Sequence, residues 1–263
     1  MLDDADWSQL TMGDEMFDEW VPADYLREYY GTKVDADEQN AIRYFVEQQR
    51  GSEPGPVLCF GCGPTLHHVF SAAPYASALY LADYLPANLA EIEKWRQRAP
   101  GAHDWSPFVR YTLSCELTRE PTAAEVVARL ERTRERIAAL LPTDAGLENP
   151  LGPSFRGYFG TVLTPFCAEA ATTERAVWAR YSRNIASLVA PGGRLLTAAV
   201  RRCHKYRVGR HFFPTTYIDE DDLQAVLAGD FPTQTIQVEA RAVPEHAEQG
   251  YSSILLARAE RPS

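Results

Sequence analysis

Val57-Leu58-Cys59-Phe60-Gly61-Cys62-Gly63-Pro64-Thr65 is an apolar run that ends in two glycines. An unbroken apolar run of this length is typical of a buried parallel strand, and glycines directly after it permit a tight turn against a ligand. The next apolar run ends at Asp83, about twenty residues further on. Asp83 is therefore predicted to lie beside the turn, where it can accept hydrogen bonds from a ribose. Together these features predict a nucleoside pocket.

The glycine spacing in this turn argues against a dinucleotide. Gly61 and Gly63 match two glycines of the NAD fingerprint, but Leu66 stands where the third is required. A class I S-adenosylmethionine (AdoMet) site uses the same strand, turn and acid without a pyrophosphate. We therefore expect AdoMet as the cofactor, with an NAD-dependent oxidoreductase as a weaker alternative.

Length and composition are those of an ordinary globular protein. The 263 residues are 45% hydrophobic and 24% charged, which suits one sizeable core. The net charge of −10 argues against a nucleic-acid partner or an anionic membrane surface, because both attract clustered Lys and Arg. We expect no signal peptide in the acidic N-terminus, and no apolar run approaches the roughly 20 residues of a membrane span.

The five cysteines predict neither a disulfide framework nor a metal centre. They are odd in number and scattered through apolar contexts, so a reducing cytoplasm is the simpler expectation. Only Cys59 and Cys62 have the spacing of metal ligands, and no second pair accompanies them. We therefore expect a cytoplasmic protein without a metal site.

Residues 1–50 are expected to form an N-terminal helical lid. After a polar leader, helical patterns occupy 23–30 and 36–49. The first pattern is rich in tyrosine, which indicates either a helix packed by its aromatic face or one that closes over the nucleoside pocket. A segment rich in Gly and Pro then leads into the predicted AdoMet-binding domain, 51–263.

The domain alternates strand and helix patterns. Strands are predicted at 57–60, 79–82, 109–113, 161–166, 194–200, 233–243 and 251–258. Helices are predicted at 66–73, 86–98, 122–141, 175–189 and 219–227. Pro191-Gly192-Gly193 is expected to end the fourth helix, and 201–217 is expected to be irregular. This alternation predicts an α/β, Rossmann-like fold of the class I methyltransferase type, with seven mostly parallel strands, helices on both faces and an antiparallel last strand.

Several motifs occur in an order that resembles one family. They are Gly61-Cys62-Gly63-Pro64-Thr65, Asp83-Tyr84 with Asn88, Glu91-Ile92-Glu93-Lys94-Trp95, Asp104-Trp105-Ser106-Pro107, Phe166-Cys167-Ala168-Glu169-Ala170 and Pro191-Gly192-Gly193. From about Tyr25 onward the chain resembles the family of nicotinamide N-methyltransferase, phenylethanolamine N-methyltransferase and thioether S-methyltransferase. The resemblance implies AdoMet as the methyl donor and a small molecule as the acceptor.

The resemblance also implies a set of donor-binding residues. They are Tyr25, Tyr30, Gly61, Gly63, Thr65, Asp83, Tyr84, Asn88, Asp144 and Ala145. In this set the glycines and Thr65 line the amino-acid end of AdoMet, Asp83 holds both ribose hydroxyls, and the Asp144–Ala145 pair contacts adenine. One position departs from the family. Cys59 replaces the acid that usually ends the first strand, which removes one anchor for the methionine portion of the donor.

On the acceptor side the resemblance implies Glu169 as the catalytic residue and as a substrate ligand. Glu169 matches the carboxylate that faces the substrate in amine-methylating relatives, but the second acid of those relatives is missing. Arg201 and Arg202 lie in that segment. We therefore expect the acceptor nitrogen to belong to an amine, a guanidine or a ring, on a molecule that can also carry a carboxylate for these arginines. Tyr206 is expected to be a further substrate contact.

Other functions remain open from the sequence. Transfer to oxygen or sulfur is the main enzymatic alternative, and Cys59 leaves room for a non-catalytic module that only binds AdoMet. His204, His211 and Tyr206 are rivals of Glu169 as the base, although structural histidines are the commoner case. The sequence leaves the oligomeric state open, with a monomer as one option.

Overall fold

The computed structural model of the chain describes residues 20–208 and 211–263. The polar leader that opens the predicted lid lies outside these residues, apart from its last few positions. The strands are β1 (Gly55–Phe60), β2 (Ala76–Asp83), β3 (Ile137–Pro142), β4 (Phe159–Pro165), β5 (Val189–Val200), β6 (Lys205–Val208), β7 (His211–Pro214), β8 (Gln237–Ala242) and β9 (Ser253–Glu260). The α-helices are α1 (Pro22–Tyr29), α2 (Ala36–Gln49), α3 (Pro86–Arg96), α4 (Ser106–Leu117), α5 (Ala123–Arg136), α6 (Arg175–Ala186) and α7 (Glu220–Leu227).

Seven strands form one sheet in the order β3-β2-β1-β4-β5-β9-β8. Strands β1 to β5 run parallel to one another, while β9 runs antiparallel to β5 and to β8. The predicted sheet with its reversed last strand is confirmed. Because β1 pairs with β2 on one side and β4 on the other, the strand order reverses at β1. Ligands of open parallel sheets bind at the carboxyl ends of the strands beside such a reversal.

Strand β1 illustrates how the sequence builds the core. Val57 and Cys59 pack into an apolar layer with α2 and α4, whereas Leu58 and Phe60 pack into the layer that contains α6 and α7. Successive residues of a strand face opposite sides of the sheet, so an unbroken apolar run suits a strand covered on both faces. Helices therefore lie on both faces of the sheet, as predicted.

One predicted element is wrong in type, and another is wrong at its C-terminal end. Residues 109–113 are not a strand but part of α4, which begins after Asp104 accepts a hydrogen bond from the Ser106 amide at 2.9 Å and carries a proline in its first turn. The predicted helix at 122–141 ends at Arg136, and the apolar residues that follow form β3. The third parallel strand therefore comes from the end of that helical pattern.

Other predictions differ in extent. The helix predicted at 66–73 is a single 3₁₀ turn (His67–Val69), because both histidines point inward instead of following one helical face. Pro191-Gly192-Gly193 does not end α6 but lies inside β5. The irregular segment 201–217 contains the β6–β7 hairpin, and the strand predicted at 233–243 shortens to β8.

Helices α1 and α2 pack against the core of the domain. Leu26 of α1 and Phe45 of α2 are buried in one apolar cluster. The Tyr29 hydroxyl donates a hydrogen bond to the carbonyl of Arg207 on β6, and the Arg207 guanidinium lies 3.3 Å from the Glu28 carboxylate. These contacts join α1 to the β6–β7 hairpin.

No helix within 20–208 or 211–263 has both the length and the apolar character needed to cross a membrane.

Candidate active site

The turn after β1 and the acid that ends β2 meet at the carboxyl edge of the sheet. Asp83 Oδ2 accepts the Gly63 amide at 2.7 Å, and its Oδ1 accepts the Leu85 amide and the Asn88 side-chain amide, both at 2.9 Å. Burial raises the pKa of Asp83, and these three hydrogen bonds oppose the rise. A carboxylate offers about four acceptor positions, so one is left for a ligand hydroxyl.

Both glycines of the turn have left-handed backbone torsions, with φ of +64° at Gly61 and +59° at Gly63. At Gly61 a Cβ atom would lie 2.0 Å from the Cys167 sulfur, so a larger residue cannot fit without a shift. Glycine is required here by the backbone and by the close approach of the β4 end.

A large cavity of about 490 Å³ opens over this turn. All ten residues predicted to bind the donor line it, together with Tyr206. No Lys or Arg is among the described residues that form its surface. This composition fits the cationic sulfonium of AdoMet and disfavours a pyrophosphate, which needs positive charge or many backbone amides.

The loop after β3 closes one side of the large cavity. The Asp144 carboxylate accepts the Gly146 amide at 2.7 Å, and the Asn184 side chain of α6 donates to the Ala145 carbonyl at 2.8 Å. The Thr143 amide donates to the Asp83 carbonyl at 3.1 Å. This loop is therefore held in place from both β2 and α6.

Aromatic side chains from α1 and the residues beside it form the opposite side. The hydroxyls of Tyr25 and Tyr30 are 3.0 Å apart, and Tyr30 donates to Glu38 Oε1 at 3.1 Å. The Trp20 indole donates to the side-chain oxygen Oδ1 of Asn88 at 2.8 Å, and its ring centre lies 4.8 Å from that of Tyr25. Burial raises the pKa of both tyrosines, so they act as neutral hydrogen-bonding groups.

A smaller recess of about 60 Å³ adjoins the large cavity and contains Glu169. Glu169 is only 3% exposed, and its Oε1 accepts the Val200 amide at 3.1 Å. Burial raises the pKa of Glu169 to about 7, against the opposing hydrogen bonds from backbone amides. Five residues line both spaces: Tyr25, Tyr30, Phe166, Ala170 and Tyr206.

The two arginines predicted to bind the acceptor lie elsewhere. Arg201 Nε is 2.8 Å from a Glu220 oxygen, and an Arg202 nitrogen is 3.2 Å from an Asp219 oxygen, both acids belonging to the start of α7. Neither arginine is among the described residues that line the large cavity or the recess.

The remaining positions singled out by the sequence also lie off these surfaces. His204 and His211 contribute to neither space among the described residues. Cys59 is buried within β1, and the surface beside it is formed by Phe60, Gly61 and Cys62. None of these three described residues carries a carboxylate, and the effect of Cys59 on donor affinity stays a prediction.

The model of the NNMT/PNMT/TEMT family matches residues 8–255. The chain belongs to this family of nicotinamide, phenylethanolamine and thioether methyltransferases. Among curated relatives, indolethylamine N-methyltransferase of Oryctolagus cuniculus is 30% identical over 234 residues, covering 86% of this chain and 88% of that enzyme. Nicotinamide N-methyltransferase of Homo sapiens is 28% identical over 229 residues, 84% of each chain.

A solved structure gives the same fold. A SAM-dependent methyltransferase from Methanosarcina mazei aligns with a TM-score of 0.53 at 11% identity, over 83% of this chain and 98% of that chain. Family membership and fold confirm the prediction of a class I AdoMet-dependent methyltransferase that acts on a nitrogen of a small molecule.

Several cavity residues were missed by the sequence analysis. They include Trp20, Cys62, His68, Thr143, Phe166, Cys167 and Tyr181. Trp20 directly precedes the tyrosine-rich helix, and Phe166 and Cys167 belong to a motif already recognised as typical of the family, so both signals were available. Tyr181 lies on the inward face of α6, where the sequence indicates only a core position.

Proposed function

We propose that this family member methylates the nitrogen of a small arylalkyl amine that lacks a carboxylate, with Glu169 as the group that receives the amine proton. The observation that carries this proposal is a buried carboxyl group, with its pKa raised to about 7, in the recess that adjoins the large cavity. A carboxyl group with such a pKa is partly ionised near neutral pH, as a general base requires.

The composition of the recess supports an amine acceptor. Three carboxyl groups line it, from Asp37, Glu38 and Glu169, and no Lys or Arg is among the described residues that do so. Aromatic rings supply most of the remaining surface: Tyr25, Tyr29, Tyr30, Phe166, Tyr206 and Tyr251. Acids and ring faces attract an ammonium group, whereas a carboxylate on the acceptor would be repelled.

The arginine positions argue for the same acceptor. An acid-bearing substrate would need a cation, and the candidates Arg201 and Arg202 are already paired with Glu220 and Asp219. The expectation of a carboxylate on the acceptor therefore has no support from the residues around the recess.

The donor would be held by the residues of the large cavity. Asp83 would accept a ribose hydroxyl, the turn at Gly61 and Gly63 would approach the amino-acid end, and the loop at Asp144 would contact the base. When bound, AdoMet supplies an electrophilic methyl group on a sulfonium. Displacement needs the acceptor nitrogen in line with that group, so placement of both molecules accounts for most of the rate.

The task of Glu169 is to make a lone pair available. An ammonium nitrogen has none, so its proton must leave before or as the nitrogen attacks. The ionised Glu169 carboxylate can hold the ammonium form and then take the proton. Tyr25, Tyr30 and Tyr206 border both spaces and can position the acceptor between Glu169 and the donor.

The test uses two acceptors that differ by one carboxylate, indolethylamine and its amino-acid analogue tryptophan. With deuterated-methyl AdoMet, we expect indolethylamine to gain the label on nitrogen and tryptophan to react with at least about tenfold lower kcat/KM, since one misplaced charge costs more than 1.4 kcal/mol. Fragmentation of the product locates the label. Preference for tryptophan, a label on oxygen or sulfur, or binding of AdoMet without turnover on a wider panel of amines would each contradict the proposal.

A further inference from the structure

Beside the proposed active site lies a buried cluster of Glu38, His67 and His68. Glu38 is in the first turn of α2, and the histidines form the 3₁₀ turn that follows the glycine turn. All three residues are at most 5% exposed. The Nε2 atoms of His67 and His68 lie 2.8 and 3.0 Å from Glu38 Oε2, and these three atoms are all within 4.8 Å of one another.

These close approaches do not have the geometry of hydrogen bonds. Among the described residues, Glu38 Oε2, His67 Nε2 and His68 Nε2 have no hydrogen-bond partner of suitable geometry, although each is buried. A ring nitrogen this close to an oxygen makes no hydrogen bond when the direction of approach is wrong or when that nitrogen carries no proton. Unpartnered buried polar atoms are costly, so three that converge on one point need an explanation.

The atoms in the cluster favour a cation. Glu38 supplies a carboxylate oxygen and the two histidines supply ring nitrogens, and lone pairs on all three atoms can bind a metal ion. Tyr30 donates its hydrogen bond to Glu38 Oε1, so Oε2 is the oxygen that faces the two imidazoles.

We propose that Glu38, His67 and His68 bind a divalent transition-metal ion, zinc in the first instance, which ties the lid to the glycine turn. Two imidazoles and one carboxylate are a ligand set that zinc uses, and three protein ligands leave one coordination position open. Ligand atoms of a tetrahedral zinc site lie about 3.3 Å apart, so the observed distances need to lengthen by only about 0.5 Å.

The surroundings give the ion both access and a role. Glu38 borders the recess and His68 borders the large cavity, so an ion can enter from either space. Bound there, it would fix the start of α2 against the turn that carries Gly61 and Gly63. The site would thus hold the lid, including the Tyr25 and Tyr30 pair, in its place over the cavity.

The first test measures metal content and is independent of methyl transfer. The full chain is loaded with zinc, passed through a desalting column and analysed for metals. We expect about one zinc ion per chain. The variants Glu38→Gln and His68→Asn should bind zinc at least about 100-fold more weakly, because loss of a ligand exceeds the 10–100-fold effect of losing an outer partner. His204→Asn, which removes an exposed histidine, is the matched control and should retain the metal.

A second measurement protects the test if a variant fails to fold. Cobalt(II) added to the unaltered chain should give the visible absorption of a tetrahedral site, and zinc should displace it. Chelation should lower the melting temperature of the loaded chain. The proposal is overturned if the chain retains less than about 0.1 equivalent of metal and gives no cobalt spectrum. In that case a proton on one of the histidines would neutralise the Glu38 carboxylate. Zinc retained by both variants, or lost equally from His204→Asn, overturns it as well.

Discussion

The large cavity and the recess share five side chains but are assembled in different ways. The base of the large cavity consists of three consecutive turns at the carboxyl ends of β1, β2 and β3, with Asp83 hydrogen-bonded to two neighbouring backbone amides. The recess is formed by side chains from α1 and α2, the ends of β4 and β5, the β6–β7 hairpin and the segment near Tyr251. The donor site is thus mainly a product of local backbone geometry, whereas the acceptor site depends on tertiary packing.

Replacing Glu169 should give the largest effect, and this effect should be confined to the recess and absent from the large cavity. We expect Glu169→Gln to lower kcat by roughly 10²–10⁴-fold, the usual contribution of a general base, because glutamine cannot take the proton. The dissociation constant for AdoMet should change by less than about twofold, since Glu169 lies in the recess and not in the large cavity. Calorimetry and initial rates give the two quantities.

The control for that variant is Glu174→Gln, an exposed acid only five positions away. It should leave both quantities unchanged. Intact turnover in Glu169→Gln would show that Glu169 has only a structural role. The recess could then no longer be distinguished from the large cavity as the acceptor site.

Replacing Asp83 addresses the large cavity. Asp83→Asn should weaken AdoMet binding by roughly 10–100-fold, because hydrogen bonds to a charged acceptor contribute about 1.5–3 kcal/mol. Calorimetric titration measures the effect, with the exposed Asp221→Asn as the matched control. A thermal melt without donor shows how much of the change comes from the Asp83 bond to the Gly63 amide. Donor affinity that stays the same would exclude the ribose role.

The pH dependence of kcat should come from Glu169 in the recess. Glu169 has a pKa of about 7, so the ionised fraction of this base increases by about tenfold between pH 6 and pH 8. We expect the kcat of the unaltered chain to rise by that factor. Glu169→Gln should lack the increase in kcat that is due to Glu169. Any increase that remains in this variant would come from deprotonation of the free amine. An equal pH profile in both proteins would assign the proton to another group.

The same group also makes a stability prediction. The pKa of Glu169 is raised on folding, from an ordinary 4.5 to about 7, so the folded state binds more protons than the unfolded state between these values. The free energy of unfolding should therefore fall as pH rises through this window, by up to about 3 kcal/mol. Urea unfolding of the unaltered chain and of Glu169→Gln at pH 5 and pH 8 should show a fall only in the former.

The smallest effect is expected at the two arginines. Arg201→Gln and Arg202→Gln each remove one partly exposed ion pair, which is worth about 0–1 kcal/mol. Neither variant should change the ratio of kcat/KM for indolethylamine to that for tryptophan by more than about twofold. A larger loss with tryptophan would place a carboxylate of the acceptor beside these residues.

The sequence predicts the donor site in the large cavity well and the acceptor site in the recess poorly. The donor residues could be found because the glycine turn and Asp83 are tied to strand ends that the apolar runs reveal. The acceptor residues could not, because Arg201 and Arg202 follow β5 directly but turn away to the acids of α7. Proximity in sequence to the expected second acid did not determine where these side chains point.

The errors in secondary structure have a related cause. The residues of 109–113 alternate enough to suggest a strand, but Val109 and Leu113 are four positions apart and both face the core from α4. At the end of α5 the arginine-rich helical pattern continues without a break into β3, so the boundary depends on pairing with β2. Tertiary contacts decide both cases, since short apolar runs suit either structure.

The thiols of Cys62 and Cys167 line the cavity in which a methyl electrophile would be placed. The thiolate is the nucleophilic form of cysteine, and burial, assisted by the charge of Asp83, raises the pKa of both groups above the ordinary range. The sulfur atoms therefore stay protonated at neutral pH. We therefore expect these two sulfur atoms to be poor acceptors of the methyl group that AdoMet would place beside them.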